Sequence, residues 1–85
     1  MFFMEQLIGK VTHYFDKAMV IVIKLEKPIS VGSTIKIKRG EEEFEQKVES
    51  MQIDHKNVEK AKKEDEIAIK VDQPTKEGAE VYKIE

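Results

Sequence analysis

Eighty-five residues leave room for one modest hydrophobic core and none for a nucleotide-binding domain beside it. Charged residues make up 38% of the chain, 15 basic against 17 acidic, so the net charge of −2 lacks the basic excess of a general nucleic-acid binder. The absence of cysteine excludes disulfides and thiolate metal sites, and no apolar run approaches the roughly 18 residues of a membrane helix, so the expectation is a cytoplasmic protein with no membrane partner and no basic leader.

Alternation of apolar and polar residues, the period of a half-buried strand, dominates the chain. Leu7, Gly9, Val11, His13 and Phe15 form one odd-numbered set in a first strand, and Asp16-Lys17 turns it. In the second strand, Ala18 to Glu26, the residues Met19, Ile21, Ile23 and Leu25 share a face while Val20 and Val22 lie on the other. A strand apolar on both faces is usually covered on both. Lys27 to Gly32 reads as a turn, with Pro28 fixing its own backbone and Gly32 free to turn left-handed. Ile35 and Ile37 alternate with Thr34, Lys36 and Lys38 in a third strand, and Gly40 opens an acidic turn through Glu41, Glu42 and Glu43.

Parity slips in the fourth strand: Phe44 and Val48 are even, Met51 and Ile53 odd. One face holds all four only if a residue bulges near Glu49-Ser50. The polar stretch Asn57 to Lys63, with Val58 and Ala61 three apart, predicts a single helical turn. Ile67, Ile69 and Val71 form a fifth strand, and Val81 to Ile84 closes the fold after a loop from Pro74 to Gly78. Six short strands predict an all-β domain spanning residues 1–85, either barrel or sandwich.

Chemistry-bearing patterns are sparse. Gly9-Lys10-Val11-Thr12 is a fragment of a phosphate loop without its upstream glycine, and it sits inside a strand. His13, His55 and Asp54 lack metal-ligand spacing, and the glutamates after Gly40 lie in a solvated turn. No residue is assigned to catalysis, to a metal or to a cofactor. Two lysine-rich clusters stand out, Lys36, Lys38 and Arg39 on one strand and Lys60, Lys62 and Lys63 in a loop. If Met19, Ile21 and Ile23 point inward, Val20 and Val22 project outward and, with Phe2, Phe3 and Met4, form either an exposed interface or a surface covered by the N-terminal segment.

Four phrases resemble the second domain of elongation factor Tu and related translational GTPases. They are Lys17 to Val22 running into Ile29 to Ile37; Val48 to His55; Val58 through Ala61 to Asp65-Glu66-Ile67-Ala68-Ile69; and Gly78 to Tyr82. The chain is also similar to small stand-alone elongation-factor-like proteins and to barrels appended to peptidase-like enzymes. The resemblance implies a single six-stranded antiparallel β-barrel that binds without catalysing. It departs from the family at Ala18, Ser33, Glu64 and Ala68, three of which replace glycines around the pocket for the tRNA end.

Two functions follow as expectations. In the first, the barrel contacts RNA or a ribosome-associated complex through Lys36, Lys38, Arg39, His55 and Lys56. In the second, it is an assembly module pairing with itself or with a larger enzyme through Val20 and Val22. Neither involves a nucleotide bound by this chain.

Overall fold

The structure, a computed structural model, describes residues 5–84. It is all-β and antiparallel, and the described residues contain no helix. The strands are β1 (Glu5–Phe15), β2 (Val20–Leu25), β3 (Ile29–Ser30), β4 (Thr34–Arg39), β5 (Glu42–Lys47), β6 (Met51–Ile53), β7 (Lys56–Val58), β8 (Lys60–Ala61), β9 (Glu66–Lys70) and β10 (Glu80–Ile84). Eight of them form one sheet in the order β5-β4-β10-β1-β2-β9-β6-β7, and β3 pairs with β8 separately.

The expected closed barrel of six strands is therefore corrected to an open sheet of eight. No ladder joins β5 to β9. Between them the Gln46 side chain donates from Nε2 to the Lys70 carbonyl at 2.9 Å and accepts at Oε1 from the Asp72 N–H at 2.9 Å. Carbonyl and N–H two residues apart are the pair that a peptide group on a parallel neighbour would engage. One carboxamide thus stands in for a strand that is not there.

Alternation sets the core. Ile21, Ile23 and Leu25 of β2, Ile35 and Ile37 of β4, Ile67 and Ile69 of β9, and Val81 of β10 are all buried. Burying such side chains stabilises the fold by roughly 1.5–3 kcal/mol each. The single fourth strand expected to run through a bulge is instead two strands with different partners. β5 ends at Lys47, Val48 enters the core, and the chain crosses Glu49-Ser50 before β6 pairs elsewhere. Phe44, Val48, Met51 and Ile53 all reach the same core, as the parity slip requires.

Strand β1 departs from strict alternation. Its register shifts between Leu7 and Gly9 and again between Val11 and His13. Each bulge reverses parity, so the core-facing residues are Ile8, Val11 and Tyr14. His13 and Phe15, which share odd parity with the buried Gly9 and Val11, face out. The helical turn expected over Asn57 to Lys63 is absent too, because Val58 pairs opposite Met51 and Ala61 opposite Ile29 in short ladders. Their spacing of three is the spacing of two strands separated by a bend.

Among the described residues, four other than glycine have positive φ: Met19, Asp54, His55 and Glu64. Glu64, at φ 76°, occupies a position where a glycine carries no Cβ penalty. Glu64→Gly is expected to raise unfolding stability by about 1 kcal/mol, read from urea denaturation midpoints at unchanged slope.

Candidate functional site

Cross-strand register places the outward residues of β1, β2, β9 and the β6–β7 hairpin in rows. His13 lies opposite Val22, Val22 opposite Ala68, Ala68 opposite Gln52, and Gln52 opposite Asn57. In the next row Phe15 lies opposite Val20, and Val20 opposite Lys70. Val20, Val22 and Ala68 are half-buried, whereas Phe15 is 54% exposed. The His13 ring sits 6.3 Å from that of Phe15, tilted by 31°, and its Nδ1 is 3.8 Å from a Glu77 carboxylate oxygen. Together these residues make an apolar shelf with an aromatic end.

At the other end the shelf deepens into a depression of about 320 Å³, lined by Val22, Gln52, Asp54, His55, Glu66 and Ala68. The hairpin wall is held by its own turn. Ile53 pairs with Lys56, leaving Asp54 and His55 as the two turn residues with φ of 51° and 65°. Positive φ at both positions marks a type I′ turn, which normally recruits Asn or Gly. Gln52 Nε2 donates to Asn57 Oδ1 at 3.1 Å across the same hairpin. His55 is thus carried to the rim by a backbone conformation with a steric cost.

Of the residues singled out in the sequence, Val22 and His55 meet at this depression, with Val20 in the adjoining row and Lys56 exposed at the start of β7. Lys36, Lys38 and Arg39 do not join them, because β4 lies beyond β10 and β1 in the sheet. Phe2, Phe3 and Met4, considered as a cover for the valines, lie outside the described residues. His13, Phe15 and Ala68 were missed as surface residues. Gly9 was the available signal for the two irregularities of β1, since an isolated glycine within a strand pattern often marks a bulge.

Lys36 is already engaged. Its ammonium pairs with Glu5 and lies 3.4 Å from Glu43, and its side chain is 14% exposed. The hydrogen bond to Glu5 holds its pKa above the usual lysine value. Tyr82, half-buried across from it on β10, is also raised, first by burial and then by Glu80. Both shifts favour the protonated form of the folded state, so their contribution is complete below pH 10 and is lost as pH rises through the folded values. Thermal midpoints are therefore expected to fall steeply above pH 10, and Lys36→Met is expected to flatten part of that slope. Among the described residues no three His, Asp or Glu side chains lie close enough to hold a metal ion.

No family model matches the chain. Its sequence is 38% identical over 76 residues to an uncharacterised protease of Methanocaldococcus jannaschii, a match covering 88% of this chain and 19% of that protein. Its fold superposes on the C-terminal domain of a Geobacillus thermoleovorans protein assigned as a U32 peptidase, with a TM-score of 0.85 at 17% identity, over 92% of this chain and 91% of that one. The selenomethionine variant of the same domain gives a TM-score of 0.84 at 16% identity, over 89% and 96%. The chain has the fold of that C-terminal domain.

These likenesses overturn the assignment to the elongation factor domain, and with it the reading as a translation module that contacts RNA. The phrases behind that assignment are turn-and-strand phrases, and they mark where this sheet turns rather than what it binds. The expectation of a domain that binds without catalysing is corrected as well, because the matched relative is named as a protease. The chain spans 19% of that relative's length. As to membranes, no helix among the described residues is long and apolar enough to cross one.

Proposed function

We propose that this chain is a docking domain of a U32-type peptidase, one β-domain that packs against the peptidase body through the shelf formed by Phe15, Val20, Val22 and Ala68. The observation that carries this reading is the 38% identity to a protease of which the matched segment is only 19%, so that most of the relative lies outside it. The shelf supplies what such packing needs: an exposed aromatic anchor beside half-buried valines, rimmed by charged rows. The cysteine-free composition accords with a cytoplasmic setting.

The test uses a hybrid in which this chain replaces the matching segment of the M. jannaschii protease. Val22→Glu is expected to cost the free chain less than about 1 kcal/mol, because the side chain points away from the core. In the hybrid the same change is expected to release the domain, with limited proteolysis of the connecting segment at least tenfold faster. Equal proteolysis of both hybrids counts against the shelf as the docking face. A drop in the sedimentation mass of the free chain on Val22→Glu assigns the shelf instead to pairing between two copies.

A further inference from the structure

One row beyond Val22 on the same outer face, Lys10 of β1 lies directly opposite Lys24 of β2. Like charges directly opposite each other on one face of an antiparallel pair are destabilising. Glu80 and Glu66 continue the row on either side, yet among the described residues neither lysine forms an ion pair with them or with any other carboxylate. A third ammonium is brought in by the loop before β9. The Glu64 N–H donates to the Leu25 carbonyl at 2.8 Å, the Leu25 N–H donates to the Asp65 carbonyl at 2.9 Å, and the Lys62 N–H donates to Asp65 Oδ2 at 2.9 Å. These bonds fasten the loop to the end of β2 and hold Lys63 beside a depression of about 490 Å³ that Lys10 and Lys24 also line. The fastening includes Glu64 in its left-handed conformation.

We propose that Lys10, Lys24 and Lys63 form a binding site for a phosphate dianion, whether free phosphate or the phosphomonoester of a small molecule. An anion between the two opposed ammoniums removes a repulsion that the protein alone leaves standing. Lysine binds phosphate as a compact point charge, whereas paired recognition of a carboxylate favours the guanidinium fork that this site lacks. Glu26 and Glu64 share the lining and Glu80 and Glu66 lie opposite the two lysines in their row, so the three cations are interleaved with carboxylates. That balance suits one small anion and works against an extended polyanion, which needs a chain of uncompensated cations. This site stands independently of the peptidase reading.

The test is a titration of the whole chain at pH 7.5, followed through its amide NMR signals, with inorganic phosphate, with O-phosphoserine, and with acetate at matched ionic strength. Saturable shifts centred on Lys10, Lys24 and Lys63 are expected with one or both phosphates and not with acetate, and the responding arm identifies the source. Lys24→Gln is expected to weaken that binding at least tenfold. In phosphate-free buffer the same variant is expected to keep or raise its thermal midpoint, because a like-charge pair has been removed, and phosphate should no longer raise it further. Shifts that acetate reproduces, shifts centred on Lys36 to Arg39, or a Lys24→Gln variant that titrates like the parent would each overturn the site.

Discussion

Gly9→Ala is expected to destabilise the fold by about 3 kcal/mol, the upper part of the range for overpacking a tight interior. Gly9 is buried in β1 opposite Leu25, immediately after the first register shift. A Cβ placed there would lie 2.4 Å from the Lys24 carbonyl oxygen and 2.8 Å from Cγ2 of Ile23. A side chain can swing away from such a contact, but a carbonyl in the β1–β2 ladder moves only with its strand. The cost therefore falls on the pairing of the two longest-contacting central strands. Guanidinium unfolding monitored by circular dichroism measures it, and a loss under about 1 kcal/mol would mean that β1 yields freely at its bulge.

Ile23→Ala is expected to cost about 4 kcal/mol. Ile23 is fully buried and lies in register between Val11 of β1 and Ile67 of β9, so its truncation empties the centre of the sheet's inner face. A domain of this size has a total stability of only about 5–15 kcal/mol, and the variant should populate unfolded forms near physiological temperature. The two substitutions share a contact and should not add. In the double variant the Gly9→Ala methyl meets the space vacated by Ile23, but the clash with the Lys24 carbonyl remains. The double variant is thus expected to be less destabilised than the sum of the singles by about 1 kcal/mol, measured as a double-mutant cycle.

The regular strands were legible in the sequence because their burial is one-sided. Ile21, Ile23 and Leu25, Ile35 and Ile37, and Ile67 and Ile69 alternate without interruption, and each set is buried as the period requires. The outward projection of Val20 and Val22 followed from the same parity, whereas the parity slip at Glu49-Ser50 marked a break between two strands rather than a bulge within one. Strand β1 was not legible in this way. Two bulges in 11 residues reverse parity twice, and they put His13 and Phe15 on the surface shelf although both share odd parity with the buried Gly9 and Val11. The short strands β3, β7 and β8 carry two or three residues each, too few for any period to register. Their polar residues and the spacing of Val58 and Ala61 imitate a helical turn.

The candidate site was legible only in halves. Val22 and His55 are 33 positions apart, and nothing local announces that Ala68, paired with Val22 on one side and Gln52 on the other, seats the hairpin against the valine row. The basic residues Lys36, Lys38 and Arg39 looked alike in the sequence, whereas the structure distinguishes two of them: Lys36 is tied to Glu5 and Glu43, and Lys38 faces Glu43 and Glu80 across the ladder. The opposed pair Lys10 and Lys24 lay hidden because their 14-residue separation becomes adjacency only through the register of β1 on β2.

Hydroxyl-radical footprinting of Phe15 tests the docking role most directly, because that side chain is 54% exposed in the chain by itself. Oxidation would be measured in the free chain and in the hybrid with the M. jannaschii protease. A fall of at least fivefold at Phe15 in the hybrid, with Phe44 unchanged as the internal reference, is the expected result. Equal oxidation of Phe15 in both would contradict the docking of the shelf against the peptidase body.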